Sequence, residues 1–350
     1  MDGSRPAFLP CGPGHIRATI GDSSFFTAAL SSDILLFVSL PTSVKRIIIE
    51  LLGWIPSRGI YRVLRRPIRW SLPDRIVSRI PVVGKIRVDL PNGKQIVLRS
   101  DGRDSIASAL FWNGLAGFEP EVLFLFTRLL QGVHTVLDVG AHTGIYGLIA
   151  AATDPGIQVY AFEPDPEIFE YLKRNVQENE ATNLIAERMA VADRCGELTL
   201  YVPNAACLAS GASTLQGFRA STRGRQVQAT TVDEYVRSKN ITRVDLMKID
   251  TEATEHLVLQ GAGATLDRDH PVVICEVLHG LTEKFLHSIF DPRPYLFFHI
   301  TSEGLTPLDT LIGDPSHKCR NVLFIHESEV ARVSELILSP GPGHHNVSIA

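Results

Sequence analysis

A short glycine loop and one glutamate are the residues of this sequence best suited to hold a nucleoside. Gly140 and Gly144 bound the loop, and His142 stands where a dinucleotide-binding loop needs a further glycine so that a pyrophosphate can approach the backbone. The loop therefore favours a nucleoside ligand without a pyrophosphate. Glu163 follows 23 positions after Gly140, and a carboxylate at this place can accept hydrogen bonds from both ribose hydroxyls.

A second group of chemically capable residues, Lys248, Asp250 and Glu252, closes a later apolar run. Because side chains alternate along a strand, Lys248 and Asp250 point to the same side of it. Carboxylates in such a position can move a proton or hold a divalent cation. Both roles stay open, but a single compact acidic cluster favours proton transfer, so no metal site is predicted.

Both groups need a sheet that brings strand ends together. Short apolar runs alternate with helical patterns from residue 135 onward, which predicts right-handed βαβ units and a mostly parallel α/β sheet covered by helices on both faces. Ligands bind such sheets at the carboxyl ends of the strands. The predicted parallel strands are Thr135–Val139, Gln158–Glu163, Leu184–Ala190, Val244–Asp250 and Val272–Val277. The predicted helices include Glu119–Leu130, Pro166–Glu180 and Thr254–Gln260.

Antiparallel elements are predicted at both ends of this region. The runs Ile86–Leu90 and Gln95–Leu98 flank an Asn92-Gly93 pair, which is a strong β-hairpin signal. Two late apolar runs, Tyr295–Ile300 and Asn321–His326, predict a further antiparallel hairpin at one edge of the main sheet.

The amino-acid composition argues against some classes of binding partner and of site. The 350 residues are 45% hydrophobic and 21% charged, with a formal net charge of -4, so the chain lacks the basic field that gathers nucleic acid. Five cysteines occur singly without any Cys-x-x-Cys pair, which argues against a zinc site or a disulfide framework and favours a reducing compartment. We expect no nucleic-acid partner.

Three regions are predicted: an N-terminal extension over residues 1–79, a main domain over 80–330 and a tail over 331–350. The extension begins Gly- and Pro-rich and continues between Ile34 and Trp54 as an apolar helical pattern, with a basic stretch after it. That stretch is a solvated helical face, or alternatively a peripheral membrane contact. Phe25–Leu40 is too short and too interrupted to span a membrane, so a cytoplasmic protein is expected.

Several segments together resemble the FkbM family of S-adenosylmethionine-dependent methyltransferases. They are Asp138–Tyr146, Phe162–Pro166 and Lys248–Glu252, supported by Gly117–Glu121, Thr231–Tyr235 and Asn321–His326. The likeness runs from about Val88 to His326. It implies a Rossmann-like class I methyltransferase fold with a seven-stranded sheet. Ala253 departs from the family, which usually has glycine there, and this places the local backbone geometry in question.

The resemblance also implies roles in binding S-adenosylmethionine. Glu163 would hold the ribose, and Asp193 would accept a hydrogen bond from the adenine amine or, equally well, serve as a turn residue. Further cofactor candidates around the methionine end and the segment before the first strand are Asp138, Gly140, Ala141, Gly144 and Glu119.

Methyl transfer to a hydroxyl requires that the acceptor lose a proton while it is held in line with the methyl group. Asp250 or Glu252 is the candidate base or acceptor-orienting group, and Lys248 is an electrostatic aid. Carboxylate ligation of a divalent cation is the competing interpretation.

Four other residues near these segments have a structural and a functional interpretation. His142 is expected to hydrogen-bond the loop, with a role as base as the alternative. His279 is expected to be a loop histidine, although it could reach the acceptor pocket. Tyr146 and Trp112 are expected to pack in the core, and an aromatic face would also favour a nearby sulfonium.

The sequence thus predicts an O-methyltransferase acting on a sugar or a secondary metabolite, a substrate class that comes from the resemblance alone. Methylation of a nitrogen stays open. The alternatives are a nicotinamide-dependent dehydrogenase and a non-catalytic protein that binds the cofactor or a glycolipid. The segments Ala205–Arg225 and Thr282–Arg293 are the predicted acceptor-facing loops.

Overall fold

The computed structural model describes residues 80–204, 208, 212–218 and 222–338. Within them, an eight-stranded sheet has the order β12-β11-β13-β10-β9-β3-β4-β5, and two smaller sheets have the orders β1-β2 and β6-β8-β7. The strands are β1 (Val83–Asp89), β2 (Gln95–Asp101), β3 (Thr135–Val139), β4 (Gln158–Phe162), β5 (Leu184–Glu187), β6 (Ala190–Val191), β7 (Gly196–Pro203), β8 (Thr222–Thr230), β9 (Leu246–Ile249), β10 (Val272–Glu276), β11 (Tyr295–Thr301), β12 (Gly304–Leu308) and β13 (Asn321–His326). The α-helices are α1 (Ser105–Asn113), α2 (Pro120–Leu129), α3 (Ile145–Thr153), α4 (Pro166–Glu178), α5 (Val232–Ser238), α6 (Glu255–Gln260), α7 (Gly263–Asp269) and α8 (Glu283–Phe290).

Five strands at the centre and one end of the large sheet, β10-β9-β3-β4-β5, are parallel. Their short apolar runs bury both faces, as in Leu246–Ile249, where every residue is buried. Alternate side chains enter two separate core clusters. Val136 belongs to the cluster that includes side chains of α1, α2 and α3, whereas the next residue, Leu137, belongs to the cluster that includes side chains of α5 to α8. The predicted α/β class with a mostly parallel sheet covered on both faces is confirmed.

The strand order reverses beside β3, because the chain passes from β3 to β4 on one side and later returns to β9 on the other. Asp138 lies opposite Lys248 in the β3–β9 register, and Val139 lies opposite Phe162 in the β3–β4 register. The carboxyl ends of the three strands therefore meet at one edge, which is where open α/β sheets bind ligands.

The antiparallel end of the sheet differs in detail from the prediction. The two late runs do pair antiparallel as β11 and β13, but β13 lies between β10 and β11. An eighth strand, β12, forms the outer edge against β11, so the sheet exceeds the expected seven strands. Pro307 within β12 masks its strand character in the sequence, and an edge strand tolerates proline.

The predicted strand Leu184–Ala190 is wrong as a single element. It divides into β5, which joins the large sheet, and β6, which joins β7 and β8 in the three-stranded sheet. The predicted hairpin at Asn92-Gly93 is confirmed as β1 and β2, with Gly93 at φ +78°.

The predicted features of residues 1–79 lie outside the described residues. At the other end, residues 331–338, which the sequence assigns to the tail, pack on the fold: Val333 is buried, and the amide of Leu338 donates to the carbonyl of Leu305 at 2.9 Å. In the described part of the chain, no helix is long and apolar enough to cross a membrane.

Two backbone features shape the ligand edge. Glu252 and Ala253 both adopt left-handed conformations, at φ +56° and +75°, so the alanine that replaces the family's usual glycine keeps a glycine-like backbone. Gly140 has φ +80°, and a Cβ there would overlap the carbonyl oxygen of Asp250. The glycine loop and the end of β9 are therefore in backbone contact.

We predict that Gly140→Ala destabilises the fold more than Gly93→Ala. Gly93 has nearly the same φ, +78°, but a Cβ added to it would meet no neighbouring atom within 4 Å, so its alanine incurs only the left-handed penalty of about 1–2 kcal/mol. Gly140→Ala must in addition move two backbone segments apart, which costs about 1–3 kcal/mol or more. Chemical denaturation of both variants measures the difference, and equal losses would contradict the close approach.

Candidate active site

A cavity of about 510 Å³ lies at the carboxyl ends of β3, β4, β9 and β10. It brings together most of the residues predicted from the sequence to bind the cofactor or act in catalysis. Those that line it are Glu119, Asp138, Gly140, Ala141, Glu163, Lys248, Asp250 and Glu252. Two predicted cofactor residues, Gly144 and Asp193, do not line it.

The glycine loop follows β3 and is tied to β4. The amides of Gly140 and Ala141 both donate to the carbonyl of Phe162, at 3.0 and 2.9 Å. Gly144 is the N-cap residue of α3, at φ +92°. It therefore affects the conformation of the loop without lining the cavity itself.

Glu163 is buried at the end of β4, with 6% of its surface exposed. One carboxyl oxygen accepts from the amide of His142 at 3.0 Å, and the other accepts from the amide of Asp165 at 2.8 Å. Burial, together with the charge of Asp165, raises the pKa of Glu163 to about 8. Each oxygen accepts one bond. The carboxyl group can therefore still accept from a ligand hydroxyl, and it can donate to one while it is protonated.

Asp138 is buried at the end of β3 and faces the start of α3. Its carboxylate accepts from the amide of Gly147 at 2.9 Å. Burial raises its pKa to about 7, although the hydrogen bond from Gly147 and the charge of Lys248 oppose that rise. Asp138 thus fixes the glycine loop to the helix that follows it.

Lys248 is 1% exposed and is the buried cation of the cavity. Its Nζ lies 3.1 Å from Asp250 Oδ2 and 5.2 Å from the ring centroid of Tyr146. Burial lowers the pKa of Lys248, but the charges of Asp250, Glu119 and Glu276 outweigh burial and raise it above its ordinary value. The ammonium therefore stays charged and covers the aromatic face that could otherwise meet a sulfonium.

Glu119 anchors the far side of this network. It accepts from the hydroxyl of Tyr146 at 2.5 Å and from the side-chain amide of Asn321 at 3.1 Å. These bonds link the start of α2 to α3 and β13, so Tyr146 is held in place beneath Lys248.

Glu276, at the end of β10, is a cavity residue that is absent from the sequence-based predictions. It is 6% exposed, one oxygen lies 3.7 Å from Arg320, and Oε2 has no hydrogen-bond partner among the described residues. Burial, with the charges of Asp250, Glu252 and Glu255, raises its pKa to about 9. A polar residue ending a fully buried strand is the sequence signal that could have found it.

Other predicted residues lie away from the cavity. Asp193 is exposed and lies 3.4 Å from Arg194. His279 contacts the carbonyl of Gly313 at 3.0 Å. Trp112 is fully buried and donates to the carbonyl of Ile80 at 3.2 Å, as its packing role requires.

The two predicted acceptor loops differ in position. Ala212, Ser213 and Thr214 of the first line the cavity, and Ser213 Oγ donates to the carbonyl of Glu252 at 2.6 Å. The second segment, Thr282–Arg293, mostly forms α8 and contributes nothing to the lining. Across the described ranges, no group of three His, Cys, Asp or Glu side chains is arranged to hold a metal ion.

Residues 138–302 match the family described as the Methyltransferase FkbM domain. Over these residues, a little under half of the chain, the sequence is similar to an FkbM methyltransferase domain. The resemblance inferred from the sequence is thereby confirmed, and the match includes the glycine loop, Glu163 and the run that ends at Glu252.

Curated relatives of the FkbM domain are themselves methyltransferases by name. The 31-O-demethyl-FK506 methyltransferase FkbM of Streptomyces tacrolimicus is 29% identical over 152 residues, 36% of this chain and 58% of that protein. The hexuronic acid methyltransferase AglP of Haloferax volcanii is 26% identical over 167 residues, 47% of this chain and 65% of that protein. The chain spans about three fifths of the length of the curated relatives it matches.

Among solved structures, the methyltransferase FkbM from Methylobacillus flagellatus KT is 16% identical to this chain. It aligns with a TM-score of 0.37 over 55% of this chain and 44% of that chain.

We predict that Glu276→Gln stabilises the FkbM domain increasingly as pH rises from 4.5 to 9. In that range the unfolded chain releases the carboxyl proton, whereas the native state retains it, so the wild type loses stability by up to about 1.4 kcal/mol per pH unit. Glutamine carries no such proton. Chemical denaturation at pH 5, 7 and 9 measures the difference in the free energy of unfolding between the wild type and the variant.

The exposed Glu170 on α4 provides the control. For Glu170→Gln, the difference in the free energy of unfolding from the wild type should not change across the same pH range. If the difference in the free energy of unfolding for Glu276→Gln does not change with pH, Glu276 ionises normally in the native state.

Proposed function

We propose that this chain transfers a methyl group from S-adenosylmethionine to a hydroxyl of a small-molecule or glycan acceptor. The observation that carries the proposal is that one cavity joins the glycine loop and buried Glu163 to the Lys248–Asp250 ion pair. The FkbM match supports methyl transfer over the nicotinamide-dependent alternative.

The cavity fits the cofactor in size and in the groups around it. A volume of about 510 Å³ lies within the range of roughly 300–1,000 Å³ typical of small-molecule sites. Glu163 would hold the ribose hydroxyls through the lone pairs that its two amide donors leave free. Phe162 and Val191, which line the same cavity, offer apolar surface to the adenine.

The reacting end of the cavity lies at the ends of β9 and β10. When bound, S-adenosylmethionine supplies a methyl group activated by the positive sulfur. The chain must then orient the acceptor hydroxyl and take its proton, and Asp250 or Glu252 is the proposed base. Lys248 holds Asp250 in one orientation through a charge-assisted hydrogen bond.

The acceptor class is supported by the relatives' names and by the charge of the site. One relative is named for 31-O-demethyl-FK506 and another for hexuronic acid. The negative net charge of the chain, -4, and the carboxylates around the cavity disfavour a nucleic acid as the acceptor.

We predict that Glu163→Ala weakens S-adenosylhomocysteine binding by about 1–3 kcal/mol, the cost of leaving the buried ribose hydroxyls without their partner. Calorimetric titration measures the affinity of both proteins. Glu170→Ala, an exposed change on the neighbouring helix α4, should bind as the wild type does. Unchanged affinity in Glu163→Ala would remove the ribose assignment.

We predict that Asp250→Asn spares cofactor affinity and lowers turnover by about 10²-fold or more, the usual contribution of general base catalysis. Transfer of a labelled methyl group to an acceptor found by screening measures turnover, and calorimetry measures affinity. Asparagine keeps the volume of the side chain, so a melting curve will show whether the fold is intact. Cofactor binding by the wild type without transfer to any acceptor would favour a non-catalytic binding protein.

A further inference from the structure

Glu276 ends β10 beside the proposed base Asp250, and the proposed mechanism gives it no role. In the last pair of the β9–β10 register, Ile249 lies opposite Cys275, and both side chains belong to the same core cluster. Asp250 and Glu276 come next on these neighbouring parallel strands. Because side chains alternate along a strand, both point to the opposite face of the sheet, and both line the cavity. Two carboxyl groups therefore lie side by side at its reacting end.

The two carboxyl groups differ in their partners. Asp250 accepts a hydrogen bond from the ammonium of Lys248 at 3.1 Å. Glu276 is 6% exposed, and its Oε2 is shielded from solvent without a hydrogen-bond partner among the described residues. Across the β10–β13 register, the side-chain amide of Asn321 donates to Glu119 instead. A buried oxygen that has lost water without a replacement is unfavourable, and a ligand group in the cavity removes that cost.

Glu276 meets such a ligand as a neutral carboxyl group. Two carboxylates side by side repel each other, so one of them keeps a proton, and the bond from Lys248 makes Asp250 the ionised member. Burial and the nearby charges, that of Asp250 first among them, raise the pKa of Glu276 to about 9, which agrees with this arrangement. A protonated carboxyl group both donates and accepts hydrogen bonds, as a ligand hydroxyl does.

Arg320 supplies positive charge at the exposed side of the cavity. Its backbone carbonyl accepts from the amide of Val277 at 2.7 Å, which fixes the residue beside the end of β10. Its guanidinium is half exposed and lies 3.7 Å from Glu276, beyond hydrogen-bond distance. Over the described ranges, the only other lysine or arginine that lines the cavity is Lys248, which is bonded to Asp250. Arg320 therefore keeps its donors for a ligand, and its forked shape matches a carboxylate.

The short distance between Glu276 and Arg320 determines which ligand can reach both. A hydroxyl on Glu276 and a carboxylate on Arg320 lie a few ångströms apart, as they do on neighbouring carbons of one molecule. The neutral Glu276 does not repel that carboxylate. Because Asp250 lies beside Glu276, the same hydroxyl can accept from Glu276 and donate to Asp250.

We propose that Glu276 and Arg320 form an acceptor subsite for a hydroxy acid, in which Glu276 binds a hydroxyl and Arg320 binds the carboxylate on the neighbouring carbon. This assignment rests on the proposed function, because it requires that the cavity accept a methyl acceptor beside an adenosyl cofactor.

Two sugar derivatives that differ at one carbon serve as probes. Methyl β-D-glucuronide carries a carboxylate on the carbon next to a ring hydroxyl, whereas methyl β-D-glucoside carries a hydroxymethyl group there. Calorimetric titration with each probe is made on the full chain saturated with S-adenosylhomocysteine. We expect the wild type to bind the glucuronide about 10-fold or more tightly than the glucoside, the scale of hydrogen bonds to a charged group.

Variants of Arg320 test the binding of the carboxylate. Arg320→Gln should bind the two probes alike, within about twofold, because a neutral amide gains little from the charge of the probe. Lys318→Gln is the matched control: Lys318 is an exposed cation two positions earlier that does not line the cavity. It should keep the wild-type preference.

Variants of Glu276 test the binding of the hydroxyl. Glutamine is neutral and can donate and accept, so Glu276→Gln should bind the glucuronide within about threefold of the wild type. Glu276→Leu removes both functions and should bind the glucuronide about 10-fold more weakly. A loss in Glu276→Gln as large as that in Glu276→Leu would contradict the role of Glu276 as a neutral donor.

Equal affinity of the wild type for the two probes would overturn the subsite while leaving the proposed function intact. So would binding of neither probe by a chain that binds S-adenosylhomocysteine. A loss of preference in Lys318→Gln equal to that in Arg320→Gln would also overturn it, because the preference would then follow overall charge. Failure of the wild type to bind S-adenosylhomocysteine would instead contradict the proposed function itself.

Discussion

The close approach between the Gly140 backbone and the carbonyl oxygen of Asp250 is the contact on which the site depends. It joins the loop after β3 to the end of β9 at the point where the strand order reverses. Since the side chain of Asp250 is held by Lys248, the same contact sets the distance between the nucleoside-binding loop and the ion pair. A side chain at position 140 would separate the two halves of the site.

The second constraint is the burial of several ionisable side chains around the cavity, where few cations neutralise the carboxylates. Lys248 is the buried cation that faces Asp250, while Asp138, Glu163 and Glu276 have raised pKa values because they are desolvated. Such a cavity is costly to maintain without a ligand. A ligand rich in hydrogen-bond donors offsets part of that cost, which agrees with a cofactor that carries hydroxyls and an ammonium group.

The cofactor half of the site could be predicted from the sequence because its signals are local. Gly140 and Glu163 follow short apolar runs at a spacing that the βαβ topology determines, and both line the cavity. The β13 position between β10 and β11 could not be predicted, since strand order depends on long-range packing. Pro307 hid β12 for a similar reason, because only the finished sheet shows that this strand lies at an edge.

Residues whose roles depend on tertiary surroundings were also missed or misplaced. In the sequence Glu276 is only the end of a core strand, and the fold alone shows its unpartnered oxygen in a site with Asp250 and Arg320. Asp193 matches the family pattern but is exposed to solvent in the loop before β7. The side chain of His142 was expected to hydrogen-bond the loop, but neither ring nitrogen has a partner among the described residues. Its bond to Glu163 comes from the backbone amide, which the residue type does not reveal.

A crystal structure of the full chain with S-adenosylhomocysteine tests the central claim most directly. We predict that the ligand lies in the cavity at the ends of β3, β4 and β9, with its ribose hydroxyls within hydrogen-bond distance of Glu163 and its sulfur facing Asp250. A ligand bound elsewhere, for example in the cleft around Asp245 and Arg332 at the opposite edge of the sheet, would contradict it.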